Sequence, residues 1–529
     1  MFVKILLIVL FFASTLYIGY HCRKKAQNSN DFMLGGRNVG PWLSAFSYGT
    51  SYFSAVIFIG YAGSFGWEFG VSALWIGLGN AFIGSSLAWS VLGRRTRLIT
   101  QKLNSATMPD FFGKRFDSKA LKIVASVIVF VFLIPYTAAL YNGLSSLFAI
   151  AFGFDQYWVW ILIISIITGI YVVIGGLMST AINSFIQGLI MLVGIALVVV
   201  FVLNKNGGLM GSLEVLAESG WEYTSIFGPD PVHLVFVVLL TSLGTWGLPQ
   251  MVGKFYSITN EAQVKKGNVI STAFAIIVAG SCYFLGGFGR VFVEAGEAGA
   301  PVISSSNIIP TMVSNLSNNE LLNNLLVGIV VVLVLAASMS TLASLVITSA
   351  STVNVDLISS IKKDRKENIW ILRVLCLVFI VVSAGLAIFQ FYGPKDLTSD
   401  IASLMGVSWG AISGAFLGPF LFGLFWKKTT KASVWTSFVV GVGLGIFSLV
   451  MKFLGFSASE SFALRFMSDS IYMGVVGMLA SLIIVPTVSL FTRKLDSSYV
   501  EELFECYSGT VMVPAVEALA DPVDELVEE

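Results

Sequence analysis

The sequence is short of charge. Only 12% of its 529 residues are Asp, Glu, Lys or Arg, about half the share in average soluble proteins. Net charge is +1, which gives no basic surface for nucleic acid. Histidine is nearly absent: His21 and His233 belong to no spaced His/Cys motif, which argues against a transition-metal centre. The four cysteines, Cys22, Cys282, Cys376 and Cys506, are scattered without motif spacing and read as free thiols. No acidic or basic residue is firmly placed at mid-depth in a long apolar run; Asp400 and Arg373 fall near run ends. Intramembrane charges mark proton relays, so their lack argues against a proton pump. The lack of a His, Cys or acid cluster at depth argues against an enzyme. Any site must then be built from neutral oxygens, backbone groups and aromatics.

Apolar residues are abundant: 56% of the chain is hydrophobic, with 42 Phe. Thirteen stretches are candidates to cross a bilayer, which takes about 20 apolar residues per helix. They are 3–20, 42–65, 71–92, 121–151, 157–174, 180–203, 232–251, 268–287, 322–353, 368–392, 398–424, 433–454 and 470–492. The first is followed at once by "HCRKK", a pattern that anchors a retained helix rather than a cleaved signal. This predicts an all-α polytopic membrane protein. With the N-terminus outside, 25 of the 31 Lys and Arg residues fall in inside segments, which follows the positive-inside rule and puts the C-terminus in the cytoplasm. Residues 1–494 form the membrane-embedded region. Residues 495–529, with "PAVEALADPVDELVEE" at the end, read as an acidic, disordered cytoplasmic tail. The segments 204–231 and 288–321 read as outside loops, with room for short helices.

Two stretches carry signals of a broken helix. The second, "LSAFSYGTSYFSAVIFIGYAG", has Gly49 among Ser, Thr and Tyr at mid-depth. The seventh, "LLTSLGTWGLPQM", holds Gly244, Gly247 and Pro249. Proline frees carbonyls one turn back, and freed backbone groups in a membrane need partners, which an ion or a solute can supply. Interrupted stretches at corresponding places in two halves point to a secondary-transporter site. In the ninth stretch, "LAASMSTLAS" (335–344) places hydroxyls in otherwise apolar sequence. Ser340 and Thr341 fan about 100° apart, with the carbonyl of Ala337 one turn back. Three oxygens at one patch suit a hard cation. Hydroxyls that merely bond back to their own helix are the plain alternative.

The motifs "GPWLSAFSYGTSYFSAVIFIGYAG" (40–63), "GGLMSTAINSFIQG" (175–188), "GTWGLPQMVGKF" (244–255), "LAASMSTLAS" and "GAFLGPFLFGLFWKKTTKAS" (414–433) together resemble the sodium:solute symporter family, over roughly residues 3–492. The resemblance implies a leucine-transporter-type fold. An added first helix (3–20) precedes two inverted five-helix repeats (42–203 and 232–424), and two extra helices (433–492) follow. It implies a sodium site made by the carbonyls of Thr50, Phe53 and Ala337 and the hydroxyls of Ser340 and Thr341. Where relatives with a second sodium site resemble a cluster built on an acid and a further serine, this chain has Ser184 and Ala343, so one Na+ per cycle is expected. Tyr52 stands where proline carriers have Asp, Thr241 and Thr245 where they have aromatics, and Ile57 where sugar carriers have Gln. The expected solute contacts are Tyr52, Ser54, Tyr141, Asn142, Thr241, Thr245, Trp246 and Gln250. The implied function is import of a small solute (amino acid, monocarboxylate, vitamin or similar) by sodium-coupled alternating access. The expected setting is the plasma or inner membrane, in contact with lipid and as a monomer. A transporter-like sensor and an uncoupled channel are the other classes open at this point.

Overall fold

The computed structural model describes residues 2–23, 29–296, 299–314, 316, 319–361, 369–393 and 401–508. Asp400, the basic runs at 24–25 and 362–366, and the terminal acidic run from 509 onward lie outside the described residues. Among the described residues there are helices and two isolated bridges but no strand. Apolar helices with few charges are the expected outcome where backbone groups must be satisfied within each segment.

The chain opens with α1 (Phe2–Cys22), then α2 (Pro41–Tyr52) and a long helical stretch, α3 (Val56–Lys102). Next come α4 (Lys119–Phe152) and α5 (Tyr157–Asn204). The second half holds α6 (Pro231–Gly247), α7 (Pro249–Tyr256), α8 (Glu261–Gly286), α9 (Glu320–Ile358), α10 (Ile369–Tyr392) and α11 (Ile401–Phe425). It ends with α12 (Lys431–Phe453) and α13 (Ser470–Phe491). Short helices at Gly208–Glu218 and Ser305–Ser314 sit in the two longer loops.

Among the described residues ten helices are long and apolar enough to cross a membrane, or eleven if α6 and α7, bent by 46°, count as one span. Thirteen stretches were expected, and the difference has two sources. At 12 residues, α2 is too short to qualify alone. The stretches α3 and α5 are 47 and 48 residues long, about 70 Å if straight, more than twice the hydrocarbon thickness of about 30 Å. Each passes through a glycine with non-helical backbone: Gly70 (φ 62°, ψ −142°) and Gly176 (φ 56°, ψ −158°). Positive φ is open to glycine at little cost, so the chain turns there without ending its helical hydrogen bonding.

The region read as a disordered tail begins with structure. Asp496 caps a helix at Ser497–Phe504, which buries Val500, Leu503 and Phe504. Tyr499 donates to the carbonyl of Lys114 (2.5 Å), Lys102 pairs with Glu502 (3.5 Å), and the Arg115 guanidinium lies 5.1 Å from the Phe504 ring centre. The acidic composition of 495–529 concealed this apolar stripe of Val500, Leu503 and Phe504.

At the centre, α9 is buried along most of its length. It packs against α5, α4, α1 and α2. The hydroxyl-rich stretch 335–344 is therefore held between the broken second span and α5.

Candidate functional site

The break in the second span falls at Phe53–Ser54. There α2 ends at Tyr52, and Phe53 is extended (φ −101°, ψ 110°) while still donating to the Gly49 carbonyl. Gly49, the expected break point, is helical. Its role is packing, since a Cβ there would stand 2.5 Å from the Phe274 ring. The seventh span breaks where it was expected. A tight turn, Leu243–Gly247, leads to extended Leu248 (φ −86°, ψ 120°), and Pro249 opens α7.

The last turn of a helix leaves carbonyls without partners, and that end of the helix is electronegative. At the end of α2 these carbonyls face α9. Thr341 Oγ1 lies 3.2 Å from the Thr50 carbonyl, 3.3 Å from that of Ser51 and 3.1 Å from that of Ala337. One hydroxyl oxygen thus sits against three main-chain oxygens from two helices. Ser340 Oγ is 2.7 Å from Thr50 Oγ1 and 2.7 Å from Ser184 Oγ on α5. Thr50, Ser184, Ser340 and Thr341 are all at most 3% exposed. Four of the five expected ion-site residues are joined by these contacts. Phe53 stands at the break itself, and the hydrogen bonds described do not tie its carbonyl to the cluster.

Two serines gain places that sequence reading did not assign. Ser338 Oγ donates to the Val334 carbonyl (2.7 Å) and accepts from Ala55 N–H (2.9 Å). It therefore satisfies a donor at the start of the second half-helix. Ser184, read only as a lost acid, bridges α5 to Ser340. Both are serines aligned with polar neighbours in the folded chain, and no periodicity signals that.

The expected solute contacts divide. Tyr52 OH donates to the Thr241 carbonyl and lies 3.1 Å from Asn80 Oδ1, which also accepts from Ser242. Thr245 Oγ1 donates to the Ser242 carbonyl (2.8 Å), and Trp246 Nε1 to the Ile83 carbonyl (3.1 Å). The Tyr52 ring stacks on Phe53 (4.5 Å) and lies against Trp409 (6.2 Å), which also meets Tyr136 edge-on (5.8 Å). Ser54 Oγ and Tyr136 OH face each other, and neither has another hydrogen-bond partner among the described residues. Tyr52, Ser54, Thr241, Thr245 and Trp246 are thus gathered around the two breaks, with Asn80, Tyr136 and Trp409 added. Asn142 instead pairs with Gln390 of α10, and Tyr141 is buried beside Ser165 of α5. Gln250 lies one turn further along, in a cavity with Lys254.

Charge is less absent than the sequence implied. Lys122 bridges Asp110 (2.7 Å) and Asp356 (3.5 Å), and Thr107 donates to Asp356 (2.7 Å). These groups come from run ends far apart in sequence, and folding buries them together.

The profile of the sodium:solute symporter family matches residues 32–441. Sodium/proline symporter 2 of Staphylococcus saprophyticus is 28% identical over 512 residues, covering 94% of each chain. The osmoregulated proline transporter OpuE of Bacillus subtilis is 28% identical over 491 residues, 92% of this chain and 94% of its own. A Na+-coupled sialic acid symporter, solved in a substrate-bound outward-open state, superposes with TM-score 0.71 at 16% identity, over 94% of this chain and 99% of that one. Mhp1, a nucleobase-cation-symport-1 family transporter, superposes with TM-score 0.53 at 13% identity, over 89% and 97%. At such identities the two structures establish the fold, which is of the leucine-transporter type. The chain belongs to the sodium:solute symporter family and is a multi-pass membrane protein that couples solute transport to Na+.

Proposed function

We propose that one Na+ binds between the end of α2 and the middle of α9, held by the carbonyls of Thr50, Phe53 and Ala337 and the hydroxyls of Ser340 and Thr341. The observation that carries this is Thr341 Oγ1 against three carbonyls at 3.1–3.3 Å. A hydroxyl can donate to only one of them at a time. A hard cation satisfies several carbonyls at once. Ser184 stands in place of the acid and Ala343 in place of a hydroxyl that a second ion would need, which supports one Na+ per cycle.

The solute sits at the two breaks, against Tyr52, Ser54, Thr241, Thr245 and Trp246, with Tyr136, Asn80 and Trp409 completing the pocket. Ser54 and Tyr136 offer hydroxyls whose only neighbour of that kind is each other. Relatives named as proline carriers favour a small solute, an amino acid or monocarboxylate. Thirteen crossings follow when α3 and α5 each turn at their glycine and the two broken pairs count once each. Spans two to six and seven to eleven then form the two inverted repeats, with the N-terminus outside and the C-terminus inside. Sodium joins the broken span of one repeat to α9 of the other, so its presence biases the rocking between them. Each ligand raises the affinity of the other.

The test is uptake into proteoliposomes with and without an inward sodium gradient, screened over amino acids, monocarboxylates, vitamins and sugars. Uptake of one solute that accumulates only with the gradient is expected. The double variant Ser340→Ala with Thr341→Ala should lose that dependence; an unchanged sodium dependence would overturn the site.

A further inference from the structure

Below the ion-site residues lies a small cavity of ≈ 50 Å³. Two helices supply most of its polar lining, and Met33, Leu34, residues 106–108 and Leu177 close the rest. From α7 come Gln250 and Lys254, four residues apart and so on one face. From α9 come Ser344, Thr348, Ser351 and Thr352, which also share one face. Ser344 is three residues beyond Thr341, about 4.5 Å along the helix. Gln250 is two residues beyond the break at Leu248. The cavity therefore adjoins both the ion-binding helix and the end of the broken span, on the side that the orientation proposed above makes cytoplasmic.

Its polar groups are unspent. Lys254 is 6% exposed, and its ammonium makes no hydrogen bond or ion pair among the described residues. Gln250 Oε1, Ser351 Oγ and Thr352 Oγ1 are buried without partners. An unpaired buried cation is costly, and an anion beside it removes that cost. At about 10–15 Å³ for each water-sized atom the cavity holds about four, enough for the three heavy atoms of a carboxylate.

We propose that this cavity is an anion-binding station on the solute's route to the cytoplasm, where Lys254, aided by the Ser351 and Thr352 hydroxyls, takes the carboxylate of the transported solute. The proposal rests on the symporter reading above and narrows the solute to a carboxylate-bearing one. Gly253 explains how the route stays open: a Cβ there would meet nothing within 4 Å, although the residue lines the cavity.

The test uses the purified full chain in detergent at constant sodium, with a bulky sulfonate (MES), too large for a cavity of ≈ 50 Å³, exchanged for acetate or for chloride. The thermal midpoint is followed against anion concentration. Acetate should stabilise the wild type. Its half-saturating concentration should rise about tenfold or more in Lys254→Gln, the size expected for a lost charged hydrogen bond, and return to near wild type in Lys254→Arg. Gly253→Leu keeps the charge but fills the cavity, and it should abolish the acetate response even if Lys254→Gln folds poorly. Acetate stabilisation that is equal in wild type, Lys254→Gln and Gly253→Leu would overturn the proposal. A Lys254-dependent response to chloride but not to acetate would overturn the assignment to the solute and mark an inorganic-anion site. Failure of the symporter reading shows separately, as a wild type that sodium itself does not stabilise while the acetate response persists.

Discussion

Thr341→Val removes one oxygen and keeps the shape of the side chain. In the folded chain that oxygen touches the carbonyls of Thr50, Ser51 and Ala337 at 3.1–3.3 Å. Two losses follow and must be separated. Without sodium, one carbonyl loses its hydroxyl donor, which costs about 1–3 kcal/mol of stability. With sodium, the ion loses a ligand. Taking a contact to a charged group as about 1.5–3 kcal/mol, the sodium dissociation constant should rise about 10- to 150-fold. Only the second loss depends on sodium, so the assay is the sodium-dependent part of the thermal stabilisation. At sodium ten times the wild-type dissociation constant, binding stabilises by about 1.4 kcal/mol; after a thirtyfold weakening about 0.2 kcal/mol is left. The variant should therefore melt lower than wild type without sodium and gain almost nothing when sodium is added. A variant that melts lower yet gains as much from sodium as the wild type would refute the reasoning, because Thr341 would then be packing only.

Other expectations follow from the same contacts. Ser338→Ala strips the acceptor from Ala55 N–H and should lower stability by about 1–3 kcal/mol, with the sodium half-saturation of uptake nearly unchanged; a large shift in sodium affinity would make Ser338 a ligand. Lys122→Met leaves Asp356 buried without its cation, which should cost about 3–5 kcal/mol, read as a lower melting temperature at any sodium concentration. Gly66→Ala would put a Cβ 2.1 Å from the Gly286 backbone. Two helix backbones must then separate, so folded yield in membranes should fall sharply, by an overpacking cost of about 1–3 kcal/mol or more.

The sequence made the broken spans and the hydroxyl stretch legible for a physical reason. Gly247 and Pro249 restrict the backbone locally, and Ser340 and Thr341 are conspicuous against an apolar helix. The exact break at Phe53–Ser54 was not legible, because neither residue has a breaking preference. The extended backbone there is held by tertiary partners such as Ser338. Gly49 misled for the opposite reason: it serves a close contact with Phe274, a residue more than 200 positions away. Gly70 and Gly176 fall in the gaps between stretches that the sequence reading kept apart (42–65 and 71–92, 157–174 and 180–203), and only a helix count by length alone merges what they separate. Tyr136, Asn80 and Trp409 joined the solute pocket only through folding, and Asn142 left it for Gln390 in the same way. The charges of Lys254, Lys122 and Asp356 sit at run ends, where sequence predicts solvent and the fold provides burial.

The central claim is a single sodium ion between α2 and α9. Equilibrium binding of radiolabelled sodium to the purified chain tests it most directly, in the wild type and in Ser340→Ala with Thr341→Ala. One saturable ion per polypeptide is expected in the wild type, and none in the double variant at the same concentrations. Two ions per wild-type chain, or undiminished binding in a double variant that remains folded, would contradict it.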